Sequence, residues 1–107
     1  MKTSEILKAG KALIEKPENW MKSTMARNSN GEPVYSANCE TAVSWCSAGA
    51  LRKASPYDTC TQEYKKAVSK LQYACEGGII TFNDTYNHSE IMEAWDKAIQ
   101  LAEAEND

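Results

Sequence analysis

Three side chains of this sequence have the chemistry needed for nucleophilic catalysis: Cys46, His88 and Asp84. A cysteine attacks as its thiolate, a histidine takes up the thiol proton, and a carboxylate orients the imidazole ring. The thiolate forms readily only beside a cation or at the start of a helix. Because Cys46 falls in the middle of a predicted helix, we expect it to pack as a small apolar residue. A small Cys/His-dependent hydrolase or transferase is therefore the alternative hypothesis.

A second group of side chains could bind a ligand without reacting with it. This predicted ligand-binding set is Trp20, Arg27, Trp45, Asn83, Asp84 and His88. The tryptophans could form an aromatic wall, and the arginine could clamp a phosphate or carboxylate. Asn83, Asp84 and His88 closely follow an apolar segment, so their polar groups could line the edge of a pocket. Each also has a structural interpretation: tryptophans are usually core residues, a loop arginine is usually solvated, and His88 lies at a helix start.

The composition is that of one globular domain spanning residues 1–107. Hydrophobic residues make up 42% of the chain and charged residues 25%, which argues against disorder. The net charge of −3 disfavours broad binding to nucleic acids. Residues 1–14 are interrupted by Glu5, Lys8 and Lys11, which predicts neither a signal peptide nor a membrane span. We therefore expect a cytoplasmic protein that does not enter membranes.

The four cysteines are expected to be free thiols. In the predicted helices, Cys39 and Cys46 would lie about 10 Å apart and Cys60 and Cys75 about 22 Å apart, because a helix rises about 1.5 Å per residue. A disulfide requires Cα atoms within about 7 Å. The chain has one histidine and no Cys-x-x-Cys pair, so no metal or cofactor is predicted.

Helical periodicity predicts a mainly α, compact domain of four helices. They span residues 4–16, 39–54, 59–76 and 88–104. Thr3 can cap the first helix, and Pro17 ends it. Asn87 and Glu90 form a capping box at the start of the fourth helix.

Shorter elements are predicted between these helices. Asn30 and Gly31 favour a turn, so the segment between the first two helices is expected to form a small β-hairpin or an irregular loop. Pro33 would confine its second strand to an edge. Residues 79–82 are apolar and β-branched and are predicted to be extended, and residues 83–87 to form a polar turn.

Small residues predominate on one face of the predicted second helix. They are Cys39, Ala42, Val43, Cys46, Gly49 and Ala50. A glycine inside a helix costs about 1 kcal/mol relative to alanine. Gly49 therefore indicates that another backbone or a ligand approaches closely. The same face could instead serve as the interface of a structural homodimer.

Several short stretches combine into a recognisable pattern. They are Lys2-Thr3-Ser4-Glu5-Ile6-Leu7, Pro17-Glu18-Asn19-Trp20, Met25-Ala26-Arg27-Asn28, Trp45-Cys46-Ser47-Ala48-Gly49-Ala50-Leu51 and Phe82-Asn83-Asp84. The chain resembles an uncharacterised family of small bacterial and bacteriophage proteins with a Trp-Cys-x-x-Gly-Ala-Leu signature, a domain of unknown function. This resemblance implies no established activity. By association, a phage origin would imply a host-modulating or anti-defence role.

Taken together, these features favour a non-enzymatic binding protein. Its ligand would be a small polar or phosphorylated molecule, or a host protein, held beside Gly49 by the predicted ligand-binding set. The Cys/His-dependent enzyme and the structural homodimer remain as alternatives.

Overall fold

The computed structural model describes residues 1–55 and 61–107, which contain five α-helices, a short 3-10 helix (Pro17–Asn19) and a two-stranded antiparallel sheet. The elements are α1 (Thr3–Ile14), β1 (Ala26–Arg27), β2 (Ser44–Trp45), α2 (Ser47–Ala54), α3 (Gln62–Ala74), α4 (Ile79–Thr85) and α5 (His88–Ala104). The radius of gyration of 12.7 Å is that of a compact domain. The mainly α fold is confirmed, but the predicted count of four helices is wrong because α4 is an additional helix.

Helix α1 packs on α2, α3 and α5 through its apolar face. Ile6, Leu7 and Ile14 on this face are at most 2% exposed. Gly10 lies against the buried ring of Trp95 in α5, and a Cβ at Gly10 would be only 2.7 Å from that ring. The glycine therefore sets the short distance between α1 and α5.

The start of α1 is capped differently from the prediction. Thr3 is the first residue of the helix, and its hydroxyl donates to the backbone carbonyl of Glu63 in the first turn of α3 (2.9 Å). The backbone carbonyl of Asp107 accepts a hydrogen bond from the N–H of Ser4 (3.1 Å). The N–H of Ser4 is therefore satisfied by the carbonyl of Asp107, which is distant in sequence. The sequence alone predicts that the Thr3 side chain caps the first amides of this helix.

The prediction of a helix over residues 39–54 is wrong for its first half. Helix α2 begins at Ser47, and β2 before it pairs antiparallel with β1, with Trp45 opposite Ala26. Sheet pairing occupies backbone groups that a helix would need for its own hydrogen bonds. The predicted face of small residues is therefore interrupted, and Val43 is 46% exposed.

The predicted turn at Asn30 and Gly31 is present, but it does not close a regular hairpin. The N–H of Gly31 donates to the carbonyl of Asn28 (3.0 Å), and Gly31 has a φ of 79°. After the turn, the N–H of Val34 donates to the carbonyl of Ala26 (3.1 Å). The strand that pairs with β1 in the sheet is β2, so the turn segment is an irregular addition to the edge of β1.

Gly49 allows the close backbone approach that the sequence predicts. A Cβ at this position would collide with the backbone carbonyl of Met25. The same carbonyl accepts a hydrogen bond from the N–H of Cys46 (3.3 Å). Because the approaching backbone belongs to the chain itself, the glycine is explained without a second copy. Homodimerisation stays a prediction.

The extended segment predicted for residues 79–82 is helical instead. These residues form the first turn of α4, preceded by Gly78 with a φ of 102°. The polar turn predicted for residues 83–87 begins inside the same helix, where Asn83 is 1% exposed, whereas Ile80 is 63% exposed. Pattern reasoning fails here because the buried residue is polar and the exposed one is apolar.

Helices α3 and α5 pack against each other, and both contact α1. The predicted third helix spans residues 59–76, of which residues 59 and 60 lie outside the described part and the structure places Gln62–Ala74 in the helix. The bounds of the fourth predicted helix are confirmed as α5. Its capping box is also confirmed, since the N–H of Glu90 donates to Asn87 Oδ1 (2.9 Å) and the N–H of Asn87 donates to Glu90 Oε1 (3.2 Å).

Candidate functional site

The side chain of Asn83 joins three distant parts of the chain. Its Oδ1 accepts hydrogen bonds from Trp20 Nε1 (2.7 Å), from the backbone N–H of Ser47 (3.0 Å) and from the Ser47 hydroxyl (2.8 Å). Its Nδ2 donates to the backbone carbonyl of Met21 (3.0 Å). The indole and the amide can only donate and the carbonyl can only accept, so these partners fix the orientation of the Asn83 amide.

This network continues into the core through Ser47. The Ser47 hydroxyl, which donates to Asn83, also accepts a hydrogen bond from Trp95 Nε1 (3.1 Å). Ser47 and Asn83 are each 1% exposed, and Trp95 is fully buried. Because the polar atoms in this buried network have partners, it holds the start of α2, the segment around Trp20 and α4 together. Sequence reasoning missed Ser47, and nothing in its local pattern distinguishes it.

Trp20 is partly buried between this network and the first helix. Its ring centroid is 5.6 Å from that of His88, and Lys22 Nζ lies 5.7 Å from the Trp20 ring centroid. His88 Nε2 is 2.7 Å from the backbone carbonyl of Ile14, the last residue of α1. These contacts place Trp20 and His88 together and attach both to the end of α1.

A small cleft of about 150 Å³ lies next to this network. The described residues that line it are Ser23, Thr24, Met25, Cys46, Ile80, Asn83 and Asp84. Two members of the predicted ligand-binding set, Asn83 and Asp84, are among them. Ile80, the apolar wall residue from α4, lies outside the helical stripe of Ile79, Phe82, Asn83 and Tyr86, so helical spacing in the sequence does not single it out.

Cys46 lies at the start of a helix and not in the middle of one, which corrects the premise drawn from the sequence. Its Sγ accepts a hydrogen bond from the N–H of Gly49 in the first turn of α2 (3.4 Å). Cys46 is 6% exposed, and burial raises the pKa of its thiol. The amides of Gly49 and Ala48 oppose this rise, and the negative charge of Asp84 adds to it. The thiol is therefore protonated at neutral pH.

Asp84 supplies the carboxylate of the cleft. One of its oxygens, Oδ1, accepts hydrogen bonds from the N–H of Ser23 (3.0 Å) and from Asn83 Nδ2 (3.4 Å). Ser23 has a φ of 78°, a left-handed conformation that is uncommon for a residue with a side chain. Within residues 1–55 and 61–107, Asp84 forms no ion pair, and its other oxygen receives no hydrogen bond.

The two remaining residues of the predicted ligand-binding set have partners elsewhere. Trp45 is 8% exposed, and its Nε1 donates to the carbonyl of Ala37 (3.0 Å). Arg27 Nη1 donates to the carbonyl of Gly31 in the turn after β1 (2.9 Å). The six residues therefore fall into three places: the Trp20–His88 contact, the Asn83–Asp84 edge of the cleft, and the environment of the sheet. That they bind a ligand stays a prediction.

Histidine, cysteine and acidic side chains nowhere form a group of three or more that could hold a metal ion among the described residues. No helix within residues 1–55 and 61–107 has the length and apolar character needed to cross a bilayer.

Fold and site together define a small, mainly α domain in which a buried asparagine network supports an apolar cleft with one carboxylate. The chain belongs to a family of unknown function, DUF6197, which matches residues 1–101. Comparison with curated proteins and with solved structures gives no match.

Proposed function

We propose that this protein is a non-enzymatic binding protein and that the cleft beside Asn83 receives an apolar group of its partner. The observation that carries the proposal is the lining of this cleft. Met25 and Ile80, which are 39% and 63% exposed, border an open apolar cleft to which the exposed Asp84 adds a charge. Concave apolar surfaces with a few polar groups are typical of binding sites.

A protein partner is favoured over a phosphorylated ligand on electrostatic grounds. The charge in the cleft is a carboxylate, and the chain carries a net charge of −3, both of which repel a phosphate. Arg27, the cation expected to clamp an anion, donates to Gly31 instead. The resemblance to bacterial and bacteriophage proteins extends this proposal to a host protein in the host cytoplasm, with a host-modulating or anti-defence effect.

Two observations support binding over catalysis. The Cys46 thiol has a raised pKa, so little nucleophilic thiolate is present at neutral pH. The expected base, His88, is hydrogen bonded to Ile14 and packs against Trp20, and it is not among the described residues that line the cleft with Cys46. A Cys/His-dependent hydrolase would need these two side chains within hydrogen-bond reach.

Titration of the ¹⁵N-labelled protein with n-butanol, followed by two-dimensional NMR, tests the proposed site. We expect the amide shifts of residues 23–25, Cys46, Ile80 and Asp84 to move together. The substitution Ile80→Asn removes apolar wall at an exposed position and should weaken this response. Tyr73→Asn, at a position that is 71% exposed on α3, is the matched control and should leave it unchanged.

Scattered shift changes, or none in the cleft, would overturn the proposed site. The enzymatic alternative is tested separately by the hydrolysis of p-nitrophenyl acetate. In folded Cys46→Ser and His88→Gln variants, the hydrolysis rate is compared with that of the wild type. If it falls to the background in both, the Cys/His-dependent enzyme is established and the non-enzymatic proposal is refuted.

A further inference from the structure

We infer that the cleft recognises the side chain of a lysine presented by the partner protein, an inference that rests on the proposed function. The cleft combines an apolar wall with a carboxylate that forms no ion pair among the described residues. A lysine side chain has the complementary order of groups, an apolar stem followed by a compact positive charge.

The size of the cleft agrees with this occupant. A cavity of about 150 Å³ accepts a group the size of benzene, and the side chain of lysine has a similar number of heavy atoms. Met25 and Ile80 would contact the methylene groups, and the buried Cys46 lies at the same wall. A whole nucleotide or peptide turn would not fit inside.

The hydrogen bonds of Asp84 favour lysine over arginine. A guanidinium group binds a carboxylate most strongly through two parallel hydrogen bonds, one to each oxygen. Asp84 Oδ1 is already occupied by the N–H of Ser23 and by Asn83 Nδ2, which leaves one oxygen for a ligand. An ammonium group can use a single oxygen because it acts as a point charge.

The chain's own neighbouring lysine does not occupy this position. Lys22 precedes Ser23, but its Nζ lies over the ring of Trp20, 5.7 Å from the ring centroid. The conformation of Ser23, with its φ of 78°, is held by the hydrogen bond to Asp84, so the carboxylate also fixes the wall of the cleft. The site is therefore formed before a ligand arrives.

Three capped amino acids test the inference by NMR titration: the Nα-acetyl, C-methylamide derivatives of lysine, arginine and norleucine. Norleucine provides an apolar stem without the charge. We expect the lysine derivative to bind in the cleft about threefold more tightly than norleucine, since an ion pair with an exposed carboxylate strengthens binding only by a small factor. The arginine derivative should bind more weakly than lysine.

The substitution Asp84→Asn isolates the charge. An asparagine oxygen can still accept the hydrogen bond from Ser23, so the wall of the cleft is kept while the charge is removed. We expect Asp84→Asn to lose the roughly threefold preference for lysine over norleucine. Glu93→Gln, which changes the net charge equally on the exposed side of α5, should retain it.

The outcomes separate this inference from the proposed function. If norleucine binds in the cleft but lysine gains nothing, or if arginine binds as well as lysine, the lysine inference is wrong and the binding site stands. If Asp84→Asn keeps the preference for lysine, the assigned role of Asp84 is wrong. If none of the three derivatives perturbs the cleft, the inference and the proposed function are both refuted.

Discussion

Trp20 Nε1 and Asn83 Oδ1 are 2.7 Å apart, although the two residues are separated by 63 positions in the chain. The same oxygen receives both donors of Ser47, so one side chain of α4 connects the exit of α1 with the start of α2. Asn83 also lines the cleft. The buried network therefore determines where the cleft is formed and how its walls are held.

Replacing Asn83 by alanine should destabilise the protein by about 3 kcal/mol. The change leaves the indole of Trp20 and the amide of Ser47 without their acceptor, and an unsatisfied buried polar group costs about 1–3 kcal/mol. Urea unfolding followed by tryptophan fluorescence measures the difference. Asn30→Ala, at an exposed turn position, is the control and should stay within about 0.5 kcal/mol of the wild type. Equal midpoints for Asn83→Ala and Asn30→Ala would contradict a structural role for the network.

The substitution Gly49→Ala should be more damaging than Gly10→Ala. In both cases the new methyl group meets atoms of another element, and overpacking costs about 1–3 kcal/mol. At Gly49 the obstacle is the backbone carbonyl of Met25, which the sheet holds in place, whereas at Gly10 it is the ring of Trp95. A ring can rotate more easily than a paired strand can move. Thermal unfolding compares the two variants, and a smaller decrease in Tm for Gly49→Ala than for Gly10→Ala would disprove the rigid approach of Met25 to α2.

The described cysteines should react with iodoacetamide in a definite order. Thr41 hydrogen bonds to Cys39 and lowers the pKa of its thiol, while burial raises the pKa of Cys46 and takes that of Cys75 to about 11. Since the thiolate is the reactive form, Cys39 should be alkylated first at pH 8.

Mass spectrometry with fragment-ion assignment follows each site, because Cys39 and Cys46 lie on the same tryptic peptide. Denatured protein provides the control, in which the differences between the sites should largely disappear. Cys46 reacting as fast as Cys39 in the native protein would contradict its burial and would reopen a catalytic role.

The ion pairs of Asp107 should make stability depend on pH in the acid range. Lys66 and Lys70 lie 3.3 Å and 3.4 Å from its carboxylate oxygens, and Lys66 is the main cause of a pKa below the usual value of 3.8. The native carboxylate therefore binds a proton less readily than the unfolded one. Its contribution is complete above pH 3.8 or so and is lost as the pH falls through the lower native pKa.

Comparing the wild type with Asp107→Asn at several pH values tests this dependence. The wild type should unfold at a higher urea concentration near pH 6, and the two midpoints should converge toward pH 2. Glu40→Gln, at an exposed position away from α3, is the control for a change of one charge. A difference between wild type and Asp107→Asn that persists unchanged at pH 2 would show that the ion pairs are not its source.

Local signals were sufficient for the parts of the fold that the sequence predicts well. The capping box at Asn87 and Glu90 defines the start of α5, and Pro17 follows the end of α1. The first half of the predicted second helix failed because pairing between Trp45 and Ala26 is a long-range interaction that outweighs the helical spacing of small residues. Tertiary contacts of this kind leave no local pattern.

For the candidate site, too, the sequence indicates what depends on neighbouring residues and not what depends on residues far along the chain. The sequence singles out Asn83 and Asp84, and the structure places both at the cleft, although inside helix α4 and not in a turn after an extended segment. It does not indicate that Asn83 turns inward, because its partners Trp20 and Ser47 are tens of residues away. Met25 was overlooked as a cleft residue for the same reason, since its position depends on the sheet and on Gly49.

The hydrogen bonds of Asn83 also impose an order on the synthesis of the protein. A nascent chain that has reached residue 55 already contains α1, both strands and α2, but it has no acceptor for the indole of Trp20 or for the first amide of α2. Water must solvate these donors until α4 leaves the ribosome. Early elements can form contacts sooner, yet the first half of the domain cannot reach its final packing before Asn83 has been synthesised.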